Sequence, residues 1–206
     1  MTRVKICGLR RTEDVLAAIE LGADALGFIC EPSSPRFVSD WESLAALFRS
    51  LPPFDQIPRV AVYAHCAIDP EHGDLAQGIS FGEGVSKPRM LVLRQEPGLG
   101  PDSIMRRIEE TSPSAVVVDG YDAASFGGTG VRADTAFIAS VRNALERSGL
   151  RTVPLVLAGG LTPDNVASAI QTVRPYAVDV SSGVESSPGL KDAIKMRDFI
   201  AAAKQA

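Results

Sequence analysis

Cysteine and histidine are both scarce in this 206-residue chain, which has three of the first and two of the second. Cys7, Cys30 and Cys66 are an odd number at wide spacing, which fits reduced thiols and argues against a disulfide framework. His65 and His72 are too few for most zinc sites. His65 beside Cys66 is not a useful ligand spacing, because neighbours on a strand point to opposite faces. No metal site is expected. Long apolar runs are missing too, and none approaches the roughly 20 residues that span a bilayer. Arg3 and Lys5 are not followed by an apolar h-region, so no signal peptide is expected and a cytoplasmic location is. The net charge is −4 and there is no basic block. That argues against nucleic acid and membrane surfaces as partners and leaves room for one local anion pocket.

What remains is the composition of an ordinary soluble domain, 45% hydrophobic and 22% charged, long enough to bury a real core. Short apolar segments suited to strands recur at 3–7, 24–29, 58–63, 76–80, 90–94, 115–118, 153–157 and 176–180. Several are near-continuous apolar runs, as parallel strands buried on both faces require. Helical spacing fills most of the gaps: 13–21, 40–50 behind Asp40, a segment capped by Asp102, another capped by Asp134, one opened by Thr162-Pro163, and about 190–204. Between Tyr63 and Met90, Pro70, Gly73, Gly78, Gly82, Gly84 and Pro88 leave room for one short helix at about 69–76 and hardly for another at 82–89. Eight β/α units match a single (β/α)8 barrel domain over 1–206, with the helix after the fourth strand shortened or missing. A doubly wound open sheet would alternate in the same way.

In a barrel the chemistry sits at the C-terminal ends of the strands. The first strand ends at Cys7-Gly8, where a thiol at a strand-to-helix turn is either a small buried residue or a reactive group. After the second strand, prolines 32 and 35 stiffen a loop presenting Arg36, a solvated charge or a partner for a substrate carboxylate. Asp119 follows three valines. It either caps its own loop or acts as a general acid whose pKa the apolar wall raises. Asp179, inside Val178-Asp179-Val180, reads better as support for its loop. Two glycine-bearing loops, Ala158-Gly159-Gly160-Leu161 and Ser181-Ser182-Gly183-Val184-Glu185, follow the last two strands. Amides there can approach an anion closely, so together they predict a phosphate site.

Several blocks, in order, resemble phosphoribosylanthranilate isomerase. They are Lys5-Ile6-Cys7-Gly8-Leu9, Ser34-Pro35-Arg36-Phe37-Val38-Ser39, Gly127-Gly128-Thr129-Gly130, Ala158-Gly159-Gly160-Leu161-Thr162-Pro163-Asp164-Asn165, and the run from Val173 to Glu185. The resemblance implies a (β/α)8 barrel that carries out a cofactor-free Amadori rearrangement in tryptophan biosynthesis. It would convert N-(5-phosphoribosyl)anthranilate to 1-(2-carboxyphenylamino)-1-deoxyribulose 5-phosphate, as a monomer or homodimer. It also implies Cys7 as general base, Asp119 as general acid, Arg36 near the anthranilate group, and Gly128, Gly159, Gly160, Ser181, Ser182 and Gly183 on the substrate. Where the family has Gln-Leu-His-Gly at the end of the fourth strand, this chain has Ala76-Gln77-Gly78-Ile79, and Arg94 stands where a lysine is expected at the end of the fifth. Two alternatives stand beside this reading: a sugar-phosphate isomerase with a changed aromatic pocket, and a non-catalytic phosphate-ligand barrel.

Overall fold

A computed structural model describes residues 1–52, 57–68, 71–120 and 134–206. In chain order the elements are β1 (Arg3–Ile6), α1 (Thr12–Glu20), β2 (Ala25–Ile29), α2 (Trp41–Ser50), β3 (Arg59–Val62), β4 (His65–Ile68), β5 (Leu75–Gly78), β6 (Ser80–Gly84) and β7 (Arg89–Arg94). There follow α3 (Pro101–Thr111), β8 (Ala115–Asp119), α4 (Thr135–Arg147), β9 (Leu155–Leu157), α5 (Val166–Val173), β10 (Ala177–Val180), a 3-10 turn (Ser182–Val184), β11 (Glu185–Ser187), β12 (Leu190–Lys191) and α6 (Ala193–Gln205). Eight strands close into a barrel in the order β1-β10-β9-β8-β7-β5-β3-β2, every pair parallel.

The apolar strand runs are explained by burial on both sides. Along β8, Ala115 and Val117 pack inside the barrel with Val60, Met90, Val92 and Val156. Val116 and Val118 face outward onto the helices, in a core that also holds Phe28, Ile104, Ile108, Val141, Phe199 and Ile200. This period of two carries every second residue of a strand to the barrel interior and up to its mouth.

The stretch after β3 corrects the expectation of a helix at about 69–76. Residues 69 and 70 lie outside the described residues, 71–74 form a turn, and Leu75–Gly78 is already β5. The crossover is a strand instead. That strand is β4, which pairs with β6, and by Asp74 the chain is back at the base of the barrel, where Asp74 N donates to Arg59 O. β6 does the same after β5: it pairs in parallel with β4, and beyond it Pro88 O accepts from Ala76 N at the base of the barrel. Cys66, Val85 and Ala76 form the small core beneath this ribbon. The helix after the fourth barrel strand, at 82–89, is absent, as expected, and an extended ribbon takes its place.

Three helix starts also differ from the sequence reading. α3 opens at Pro101 behind Gly100, with Asp102 in its first turn rather than at the cap. α5 begins at Val166, not at Thr162-Pro163, because Asn165 folds back to serve the loop: its Oδ1 accepts from Thr162 N and its Nδ2 donates to Gly160 O. α6 begins at Ala193 behind Asp192, since Leu190–Lys191 is spent in the β11–β12 hairpin. Asp40 and Asp134 cap α2 and α4 as read, accepting from Ser43 N and Phe137 N. Among the described residues no helix is long and apolar enough to cross a membrane.

Candidate active site

A cleft of about 980 Å³ opens at the C-terminal ends of the barrel strands. Cys7, Arg36, Asp119, Gly159, Gly160, Ser181, Ser182 and Gly183 all line it. Gly128 and its glycine-rich neighbours lie outside the described residues. The loop after β2 folds back on its own strand, with Val38 N donating to Ile29 O, and this brings Arg36 over the mouth.

Asp119 ends β8 on the inward phase set by Ala115 and Val117, opposite Arg94 of β7 in register. The Arg94 Nε to Asp119 Oδ2 distance is 3.5 Å. Burial against the apolar strand lifts the Asp119 carboxyl to about 6; Arg94 and Lys5 pull it down and Asp179 pushes it up. A carboxylic acid poised there can hold or give up a proton near neutral pH.

Cys7 follows β1 and is 6% exposed. Burial raises its thiol above the ordinary value, outweighing the attraction of Lys5 and Lys191. Two residues back on the same face, Lys5 donates to Asp179 Oδ2 at 2.8 Å across the β1–β10 ladder. Asp179 is therefore the partner of a buried ammonium rather than a support for its loop.

The last two loops meet tightly. Gly159 has φ +88°, and a Cβ on it would lie 2.7 Å from Asp119 Oδ1, so glycine is needed both for the backbone and for the acid's room. A Cβ on Gly183 would collide with the Leu161 carbonyl, which is how the Ser182–Val184 turn packs onto the β9 loop. Ser181 Oγ is buried and has no hydrogen-bond partner among the described residues, so it is available to a ligand.

Two charged residues, Glu185 and Lys191, escaped the sequence reading as site components. Arg36, expected to meet a substrate carboxylate, is already gripped by Glu185: Nε donates to Oε1 and Nη2 to Oε2, both at 2.8 Å. Lys191, fully buried, donates to Glu185 Oε1 at 2.8 Å and to Ser181 O at 3.0 Å. Burial alone would raise the Glu185 carboxyl, but Arg36 and Lys191 hold it below its usual range. Arg36–Glu185 and Lys5–Asp179 join residues far apart in sequence, while the β11–β12 hairpin brings Lys191 onto Glu185. Among the described residues, no group of three or more histidines, cysteines or acids is placed to hold a metal ion.

Comparison with known proteins agrees with the barrel fold. The family model for N-(5'-phosphoribosyl)anthranilate (PRA) isomerase matches residues 72–202. An N-(5'-phosphoribosyl)anthranilate isomerase from Geotalea uraniireducens is 42% identical over 99% of this chain and 99% of its own. The crystal structure of phosphoribosyl anthranilate isomerase from Thermotoga maritima is 30% identical with a TM-score of 0.74, covering 100% of both chains, and monomers generated from that dimeric enzyme have also been solved. A further phosphoribosyl anthranilate isomerase structure, in complex with reduced 1-(o-carboxyphenylamino)-1-deoxyribulose 5-phosphate, superposes with a TM-score of 0.69 at 30% identity over 100% of both chains. Matched by the family model over well over half its length and by relatives from end to end, the chain belongs to the N-(5'-phosphoribosyl)anthranilate isomerase family.

Proposed function

We propose that the chain converts N-(5'-phosphoribosyl)anthranilate to 1-(2-carboxyphenylamino)-1-deoxyribulose 5-phosphate, an Amadori rearrangement of tryptophan biosynthesis, in the cytoplasm and with no cofactor. Asp119 is the general acid: it gives its proton to the ribose ring oxygen while the nitrogen lone pair opens the ring to a protonated Schiff base. Cys7, as thiolate, then takes the C2' proton. The electron pair released moves toward C1' and neutralises the nitrogen, and the resulting enolamine tautomerises to the ketone. Gly159, Gly160, Ser181, Ser182 and Gly183 hold the phosphate, together with Gly128. Arg36, held in place by Glu185, meets the anthranilate carboxylate with the part of its guanidinium that Glu185 does not use.

The observation that carries this reading is the carboxyl of Asp119, raised to about 6 in a cleft it shares with the Cys7 thiol. A purely ligand-binding barrel has no use for an acid poised near neutrality. Family membership supports the substrate.

The test is a steady-state assay with phosphoribosylanthranilate generated in situ, on the wild type, Cys7→Ala and Asp119→Ala. Turnover by the wild type with a loss in kcat/KM of about a hundredfold or more in each variant is expected. Turnover that survives both substitutions would overturn the acid–base pair. No turnover by the wild type would leave the binding barrel or an isomerase with a different aromatic substrate.

A further inference from the structure

Lys5 is 2% exposed, and a buried ammonium is costly unless it is paired. Asp179 supplies one partner at 2.8 Å. A purely structural pair would be complete with that contact, yet it is not closed at either end. Asp179 Oδ1 is buried without a hydrogen-bond partner among the described residues, and the Lys5 ammonium is also attracted by the Cys7 sulfur, two residues on along the chain. Both side chains leave β1 on one face and rest on the same bare spot of β2: a Cβ on Gly27 would lie 2.8 Å from Cys7 Sγ and 3.0 Å from Lys5 Cε. The missing side chain at Gly27 is what lets lysine and thiol meet.

We propose that Lys5 is a positioning residue for the reaction, its ammonium stabilising the Cys7 thiolate while Asp179 competes for the same charge. The strength of the base is then set by how Lys5 divides between carboxylate and sulfur. This rests on the reading of Cys7 as general base. The other groups facing Cys7 are few. Lys191 of β12 adds a second favourable cation and Asp179 of β10 an unfavourable anion, while β2 contributes only the uncharged Gly27. Asp119 of β8, beside Arg94 of β7, interacts in turn with Lys5 and Asp179. Burial sets the thiol high, and Lys5 is the largest influence drawing it back.

The experiment follows alkylation of Cys7 by iodoacetamide at pH 8, quantified by mass spectrometry on the peptide that carries Cys7, so that Cys30 and Cys66 do not contribute. Only the thiolate reacts, so the rate reports its population. Lys5→Met is expected to slow alkylation about tenfold or more, Lys5→Arg to restore it to within about threefold of the wild type, and Asp179→Asn to speed it about threefold or more. A damaged site would open and speed both Lys5→Met and Asp179→Asn, so opposite signs from the two members of one ion pair separate electrostatics from damage. In turnover, Lys5→Met should lower kcat with KM nearly unchanged. Unchanged or faster alkylation in Lys5→Met overturns the proposal. Should that variant fail to fold, unchanged or slower alkylation in Asp179→Asn overturns it equally. Alkylation is read without substrate, so a wild type lacking turnover defeats the assigned reaction, whereas a turning-over wild type with unshifted alkylation defeats the role of Lys5.

Discussion

Asp119→Asn should remove activity and, at neutral pH, make the protein more stable. The Asp119 side chain is 19% accessible and its carboxyl titrates near 6, against 3.8 for an unburied aspartate. Ionising it in place therefore works against about two pKa units, which at 1.36 kcal/mol each comes to about 3 kcal/mol. The sign follows from proton counting. Between about pH 4 and pH 6 the native state binds more protons at this group than the unfolded chain, so its stabilising contribution is complete below about pH 4 and is lost as pH rises through 6. Asparagine has no proton to lose and escapes the penalty, and Arg94, left behind, is 26% accessible and can be hydrated. The advantage of the variant should be about 1.6 kcal/mol at pH 5 and about 3 kcal/mol at pH 8. Urea unfolding of both proteins at pH 5, 6.5 and 8 measures it, beside the isomerase assay. A stability difference that does not change with pH, or a variant less stable than the wild type at pH 8, would refute the account of Asp119 as an acid held against its will.

Three other perturbations bear on the same cleft. With an acid near 6 and a base above the ordinary thiol value, the active form has the proton on the stronger acid's conjugate base. The kcat/KM of the wild type should therefore fall about tenfold per pH unit below about 6 and run level above it until Cys7 titrates. A profile that declines as pH rises through 7 would mean that Cys7 is already ionised in the free enzyme. Glu185→Gln leaves two buried cations short of a charge and should cost about 3 kcal/mol, read by thermal unfolding, with KM rising more than kcat falls. An unchanged KM would count against Arg36 as the carboxylate contact. Gly27→Ala inserts a Cβ 2.8 Å from Cys7 Sγ, an overpacking of about 1–3 kcal/mol, and should lower kcat about tenfold or more by displacing the thiol. Activity retained in a stable Gly27→Ala protein would show that the sulfur has room to spare.

The eight barrel strands were legible because parallel strands buried on both faces leave an unmistakable local record, as in Ala115-Val116-Val117-Val118. The two strand crossovers were not. Gly78, Gly82 and Gly84 announced that no helix could form after β5, but what replaces it depends on pairing His65 with Ser80 and Cys66 with Phe81, which no local period reports. The glycines do have a reading in retrospect: a Cβ on Gly82 would come 2.6 Å from Ala67 O, so the residue that breaks a helix is also the one that lets β4 and β6 pack.

The site divides along the same line. Cys7, Asp119, Arg36 and the two glycine loops could be found because each stands at a strand end, where barrel geometry gives position a meaning. Glu185 and Lys191 could not, because a lysine or glutamate in a sequence looks solvated until its partner is known; Lys5, two residues before the thiol, stands out as a nearby cation, but it meets Asp179 only by closure of the barrel between β1 and β10. Yet these are the groups that decide how much of the enzyme is active. If Asp119 titrates near 6 and Cys7 well above it, only a small fraction of molecules carries the proton on the acid and none on the base, and that fraction grows tenfold for each unit the two values approach. Raising Asp119 would achieve this by burying it further from Arg94. Lowering Cys7 needs a cation near the sulfur, and β1 supplies one two residues before it.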